Sequence, residues 1–325
     1  MKTGKRFFLL LLAVSLVFSG ASGLTGCAKG VSGKKEIAVI VKSTNSDFFH
    51  AMKNGVTAAA TEYNVSVTFE GPENEEDYET QNQLIKNAIA RGVQAIVLSA
   101  IDEHKSVSTV EEAVRKGIKV ITIDSGVASG AVSLFIGTDN RAAGRKAGEA
   151  VRTCCSGTGT IRIGLVNYME ATENGREREE GFREYVGALP NVRITAAVTV
   201  ENNTESATEG ALRLIREHPE INVLVGFNEW MTLGVGYAIR QCRAGDIVTG
   251  IGFDTNLVSI SMIESGEMDA LIAQNPFAIG YLGVKNAADL VSGVNVGETP
   301  IHTDVTLITR DNLFDEDIQK VLFRF

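Results

Sequence analysis

The sequence of 325 residues predicts an α/β protein built as two doubly wound parallel-sheet lobes. Three observations carry that expectation. Short apolar runs alternate with amphipathic stretches along nearly the whole chain, the signature of crossover units. The runs are rich in Val and Ile and lack polar alternation, as strands buried on both faces should be. They also fall into two similar sets, one before about residue 138 and one after.

Taken in order, the first set of runs is 36–42, 65–70, 94–99, 118–123 and 133–137. The second is 160–166, 192–200, 222–227, 247–252 and 269–273. Helical patterns lie between them, several closing on a glycine, as at Arg91-Gly92, Lys116-Gly117 and Ser292-Gly293. After Asn45, the residues Phe49, Met52, Val56, Ala59 and Tyr63 recur at steps of three and four, a core-facing stripe. Phe48 lies about 100° off that stripe, in the first turn beside the strand end. In the second set Phe182, Tyr185 and Leu189 form another stripe, with Arg178 one turn before Phe182 on the same face. Arg178 is therefore expected to point inward, and Arg176 to be solvated or paired with Glu179 or Glu180.

The first 27 residues read as a targeting segment rather than part of the fold. Lys2, Lys5 and Arg6 precede the apolar run Phe7–Phe18, and small residues lead to Leu24-Thr25-Gly26-Cys27. That is a secretory signal ending in a lipobox, with Cys27 as the lipidation site. The apolar run is too short for the ~20 residues that span a bilayer. Residues 28–35 read as a tether, so the expected location is extracytoplasmic, attached to a membrane by the lipid alone. Removing residues 1–27 takes the formal net charge from −9 to −12, which argues against nucleic acid as a partner. Cys154, Cys155 and Cys242 remain; a bridge from Cys154 or Cys155 to Cys242 stays open, and no Cys/His cluster has metal spacing. No metal, cofactor or catalytic residue is expected.

In open parallel sheets ligands sit beyond the carboxyl ends of the strands. The polar residues there are Asn45-Ser46-Asp47, Ser99, Asp124-Ser125, Thr138-Asp139-Asn140, Asn228-Glu229, Asp254 and Gln274. Facing lobes would bring them to one cleft, although Asp, Asn and Ser are also favoured helix N-caps. For Asp139 and Asn140 capping or a hinge role is the expectation. Nucleophile-elbow, zinc-protease and phosphate-loop motifs are absent, and Gly157 and Gly159 precede a strand without the third glycine of a dinucleotide loop. Asp124 and Asp254 could form a glycosidase dyad. The better use is recognition of hydroxyls: Asp accepts from them, Asn, Gln and Arg bond in planar geometry, and Phe rings cover C–H faces. Such a set suits a monosaccharide or polyol. Trp230 either lines the cleft or caps the lobe surface.

The chain resembles the ribose-binding-protein family of bacterial periplasmic sugar-binding proteins along essentially its whole mature length. The resemblance rests on NSDFFHAMKNG at 45–55, VITIDSG at 120–126, FIGTDNRAAGRKAGE at 135–149 and GREREEGF at 175–182. NEWMTLG at 228–234, GFD at 252–254 and IAQNP at 272–276 complete it. It implies the type I periplasmic binding protein fold, two Rossmann-like lobes joined by a three-strand hinge, crossing near 138–139, 274–275 and 304–305. The lobes would comprise 36–138 with 275–304, and 139–274 with 305–325. It implies a monomer that delivers a sugar to the permease of an ABC importer, with ligand contacts from Phe48, Phe49, Asp124, Arg178, Asn228, Asp254 and Gln274. A sensor signalling to a histidine kinase or chemoreceptor would keep the fold and change the output, and a repressor core shares the fold but needs a DNA-binding segment where the signal stands. Three positions depart from the ribose binders: Ser46 and Ser99 replace Asn, and Ser125 replaces Arg. The shorter side chains remove planar hydrogen-bonding reach and should open volume, implying a ligand other than ribose. The tail after Thr309 should dock apolar residues on the second lobe.

Overall fold

The computed structural model describes residues 33–157, 159–168 and 172–322. The signal 1–27, Cys27 and residues 28–32 of the tether lie outside the described residues. Among the described residues no helix is long and apolar enough to cross a membrane.

The chain starts with β1 (Glu36–Ile40), α1 (Asp47–Glu62), β2 (Ser66–Glu70), α2 (Tyr78–Arg91), β3 (Ala95–Leu98), α3 (Val107–Arg115), β4 (Lys119–Ile123) and β5 (Leu134–Thr138). It continues with α4 (Asn140–Cys154), β6 (Ile161–Tyr168), α5 (Glu173–Gly187), β7 (Val192–Val200), α6 (Thr204–Glu217), β8 (Val223–Gly226) and α7 (Glu229–Cys242). Then come β9 (Thr249–Phe253), α8 (Leu257–Ser265), β10 (Ala270–Ala273), α9 (Pro276–Val291), β11 (Ile301–Thr303), β12 (Thr306–Thr309) and α10 (Glu316–Leu322). Each of the ten apolar runs is a strand. The two short strands β11 and β12 were not expected, because three and four half-exposed residues make no apolar run.

Two six-stranded sheets result, ordered β11-β5-β4-β3-β1-β2 and β12-β10-β9-β8-β6-β7. All pairings are parallel except β12 against β10. In β1, Ile37 and Val39 pack into the core on one face and Ala38 and Ile40 into the core on the other. Both faces are covered by helices, which is why the run shows no polar alternation.

The chain passes from one sheet to the other three times. β5 ends at Thr138, and α4 then buries Ala143, Ala147 and Val151 in the second lobe. β10 ends at Ala273, and α9 returns Ile279 and Val284 to the first. β11 belongs to the first sheet and β12, two residues on, to the second. In the tail, Leu313 and Ile318 join the core of the second lobe, as expected of that segment. Cys154, Cys155 and Cys242 are all free thiols; burial pushes the Cys154 thiol up to about 12, away from the thiolate form.

In each lobe one helix pair meets at glycines. A Cβ on Gly55 of α1 would lie 2.0 Å from the Phe277 carbonyl oxygen of α9. In the second lobe a Cβ on Gly144 of α4 would lie 2.0 Å from the Arg178 carbonyl oxygen, and one on Gly181 of α5 equally close to that of Arg141. The close crossing of α4 and α5 sets where Arg178 stands. Gly144→Ala must separate two backbones, so it is expected to cost about 2–3 kcal/mol and to lower Tm by several degrees; a thermal melt checks it.

Candidate functional site

The carboxyl ends of β1, β4, β8, β9 and β10 and the starts of α1, α5 and α7 converge on one small interlobe cavity of about 20 Å³. Eight of the nine residues singled out in the sequence line it: Ser46, Phe48, Phe49, Asp124, Arg178, Asn228, Asp254 and Gln274. Ser99 does not line it; its hydroxyl donates to Asp124 Oδ2 at 2.7 Å from behind. Lys42, Glu75, Tyr168, Asn174 and Glu229 complete the lining and were not singled out as ligand groups.

Asp124 and Asp254 occupy matching places, one after β4 and one after β9. Both have left-handed backbones, φ 60° and 66°, uncommon for residues with a Cβ. Each donates its N–H to a neighbouring strand at 3.0 Å, Asp124 to the Ile136 carbonyl and Asp254 to that of Ile272. At Asp124 the chain turns tightly, with Ser125 N–H donating to the Ile123 carbonyl at 2.6 Å. Such geometry costs of order 1–3 kcal/mol and concentrates at functional sites. It aims both carboxylates out of the strand direction, into the cavity.

On the first-lobe wall the buried Lys42 ammonium sits 3.3 Å from Asp124 Oδ2. Asn174 of the second lobe then bridges the two: its Nδ2 donates to Asp124 Oδ1 at 3.2 Å, and its Oδ1 accepts from Lys42 at 3.3 Å and from the Tyr168 hydroxyl at 3.0 Å. The serines thus open no large volume: Lys42 and Asn174 close around Asp124, to which Ser99 donates, and Glu229 meets Ser46. Ser125, the third short residue, turns its hydroxyl to the Ala100 carbonyl, 2.5 Å away.

On the second-lobe wall Arg178 is 1% exposed. Its Nε donates to Asn140 Oδ1 at 2.9 Å and its Nη1 to the Phe227 carbonyl at 2.9 Å. The guanidinium lies 4.9 Å from the centre of the Phe253 ring and 4.0 Å from Asp254 Oδ2. Nη2 is buried and has no hydrogen-bond partner among the described residues. Gln274 joins the crossing to the site, donating to Asp254 Oδ1 at 2.7 Å while its carbonyl accepts from Thr138 at 2.7 Å. Asp139 caps α4 through Ala142 N–H at 2.8 Å, as expected, and Asn140 turns out to orient Arg178.

Asn228 is both a cap and a lining residue: its Oδ1 accepts from Met231 N–H at 2.9 Å, and its Nδ2 donates to Asn202 at 2.6 Å. Ser46, although placed at the N-cap of α1, makes no capping bond. It donates across the cleft to Glu229 Oε2 at 2.7 Å, and Phe48 N–H reaches the same oxygen at 3.4 Å. Phe49 is buried at the head of the α1 stripe, with Phe48 edge-on to it at 5.2 Å. Trp230 is half-buried at the cleft edge, its Nε1 donating to Glu75 Oε1 of the other lobe at 3.1 Å. Arg176 pairs with Glu180 at 3.6 Å, and also with Glu103 of the first lobe at 3.3 Å, a contact its helix position did not suggest.

Burial pushes the Glu75 carboxyl up to about 7; Lys42 opposes the shift, and Asp124 and Glu229 add to it. Burial also raises Glu229, against hydrogen bonds from Asn256 and Ser46, and raises Asp254, against Arg178 and Gln274. Among the described residues no group of His, Cys, Asp and Glu is arranged to hold a metal ion.

Two α/β lobes whose strand ends meet across a polar cavity define the class of two-lobed solute-binding proteins. The chain belongs to the periplasmic binding protein domain family, whose model matches residues 37–295. It is 26% identical over 261 residues to the D-allose-binding periplasmic protein of Escherichia coli (strain K12), covering 78% of this chain and 84% of that one. Against the ribose import binding protein of Bacillus subtilis (strain 168) it is 27% identical over 271 residues, covering 82% and 85%. A carbohydrate transporter solute-binding protein of Agrobacterium radiobacter, solved with D-arabinose, superposes with a TM-score of 0.86 at 27% identity, over 90% of this chain and 100% of that one. These relatives are sugar-binding transport proteins, not enzymes.

The folded pKa of Glu75, about 7, lies above the ordinary 4.5. The folded state therefore binds the proton more tightly than the unfolded chain. Glu75's contribution is most favourable below the ordinary pKa and declines as pH rises through the window between the two values. Glu75→Gln removes that decline, so its stability relative to wild type should improve by about 1–3 kcal/mol between about pH 4.5 and about pH 8. Chemical denaturation at both pH values checks this; an equal offset at the two would mean the carboxyl is not desolvated.

Proposed function

We propose that this protein is an extracytoplasmic solute-binding lipoprotein, anchored through Cys27, that captures a monosaccharide or related polyol between its lobes and delivers it to the permease of an ABC importer. The observation that carries this reading is the lining itself: Asp124 and Asp254 held at strained strand ends, and a buried Arg178 whose Nη2 donors are left for a ligand oxygen. The family and the sugar-binding relatives support the substrate class. The lobes we propose comprise 36–138 with 275–304, and 139–274 with 305–325.

The walls already bond to each other through Lys42 to Asn174, Asn174 to Asp124 and Ser46 to Glu229. A cavity of about 20 Å³ holds a water-sized guest, not a hexose. The lobes therefore part to admit the ligand and close again on it, its hydroxyls replacing those direct bonds. Ligand shifts the balance of open and closed forms only by its differential affinity for them. The direct bonds between lobes are the ones a sugar has to replace, and it gains further by hydrogen-bonding Arg178, Asp254 and Gln274.

Calorimetry against a panel of aldoses, polyols and cyclitols tests the reading. At least one should bind with a stoichiometry of one, and the Trp230 fluorescence should change as it does. Asp254→Ala should weaken that binding by at least about tenfold, the value of one charge-assisted hydrogen bond, and Arg178→Ala at least as much. An Asp254→Ala protein that binds like wild type would move the site elsewhere. We further propose that ribose is not the main ligand, given Ser46, Ser99 and Ser125; ribose as the tightest ligand by a wide margin would refute that part.

A further inference from the structure

The cavity lining carries more acid than a neutral guest accounts for. Four carboxyls line it (Glu75, Asp124, Glu229 and Asp254) and two cations, Lys42 and Arg178. Each cation stands beside one aspartate: Lys42 is 3.3 Å from Asp124, and Arg178 is 4.0 Å from Asp254. Glu75 and Glu229 are left with neutral donors among the described residues. Glu75 accepts from Trp230 Nε1 at 3.1 Å and Asn202 Nδ2 at 3.2 Å. Glu229 accepts from Ser46, Asn256 and the Phe48 N–H, the first two at 2.7 and 2.8 Å.

Hydrogen bonds from neutral groups satisfy the lone pairs of a buried carboxylate but do not cancel its charge, which is costly to keep out of water. Glu75 comes from the acidic loop Glu73-Asn74-Glu75-Glu76-Asp77 between β2 and α2. Glu229 follows Asn228 at the head of α7. One stands on each lobe, so closure brings to the same cavity two acids with no ion-pair partner in contact, Lys42 acting on Glu75 only from a distance. The Nη2 of Arg178, with no partner among the described residues, asks for an acceptor, which a hydroxyl supplies.

We propose that the preferred ligand is a monosaccharide bearing a basic nitrogen, an amino sugar or amino cyclitol, with its ammonium toward Glu75 and Glu229 and its hydroxyls toward Arg178, Asp254 and Gln274. This rests on the monosaccharide reading above and narrows it. An ammonium has three donors and a full charge, so it replaces neutral partners with an ion pair in a site shielded from solvent. The hydroxyl at the same carbon supplies donor and acceptor without the charge. An N-acetyl group removes the charge and adds bulk.

Titration calorimetry of the purified protein with matched sets decides the matter: D-glucosamine, D-glucose and N-acetyl-D-glucosamine, and the three galactose counterparts. The expected result is that an amine binds at least about tenfold more tightly than its hydroxyl parent, the value of one charge-assisted bond, with the N-acetyl form weakest. In Glu75→Gln, and separately in Glu229→Gln, the amine-to-parent ratio should fall toward one. A parent sugar that binds wild type as tightly as its amine overturns the proposal while leaving the sugar-binding reading intact. So does a ratio that neither variant moves. If no sugar binds, charged or neutral, the sugar-binding reading fails and this proposal fails with it.

Discussion

A guanidinium removed entirely from water has to be met on every side, and Arg178 is the residue that makes this demand. It is met by a carboxamide from α4, a carbonyl at the end of β8, and the ring face of Phe253 at the end of β9. Three elements besides its own helix must therefore end in register around one side chain. That register is possible only because α4 and α5 approach at Gly144 and Gly181, with no Cβ between the backbones. The partner missing at Nη2 is one that none of the described residues supplies. A buried cationic donor without an acceptor is expensive, so this corner of the second lobe still asks for one.

The first lobe is organised around Asp124 in the same spirit but with a different solution. Lys42 and Ser99 hold the carboxylate from its own lobe, and Asn174 closes over it from the other. Asn174 thus bonds both a cation and an acid of the opposite wall. Glu229 does the reverse, reaching from the second lobe to Ser46 and the Phe48 N–H of the first. Glu173 of the second lobe likewise accepts from Gly126 N–H at 2.5 Å, and Asn202 N–H reaches Glu76 at 2.7 Å. The walls are complementary to each other as well as to a guest, so closure and binding draw on the same groups.

Legibility followed the range of the interaction. Asp124, Asp254 and Gln274 were found because they directly follow apolar runs, where the topology of parallel sheets places ligands. Arg178 was found because a charged residue on a core stripe has to point at something. Lys42 was missed because it closes the run Ile37–Val41 and reads as the polar flank of a strand, while it is 1% exposed. Glu75 was missed because an acidic run between β2 and α2 reads as a solvated loop. Glu229 was hidden by its neighbour Asn228, whose capping role is visible locally. Ser99 and Ser125 mark their positions correctly as strand ends but spend their hydroxyls inside the first lobe, on Asp124 and the Ala100 carbonyl.

By itself, then, the sequence determined the alternation of strands and helices, the two-lobed α/β class and the acids, amides and rings at the strand ends. Those properties follow from hydrophobic periodicity and local chain direction, whose range is a turn of helix or a single strand. Only the tertiary structure decided which polar groups pair across the cleft. Ser46 and Glu229 are 183 positions apart, Glu75 and Trp230 are 155, and Lys42 and Asn174 are 132. No local pattern relates residues so distant. They meet because the chain crosses between the sheets three times and brings the ends of both face to face, where each buried donor and charge must find a partner on the opposite wall or in a guest.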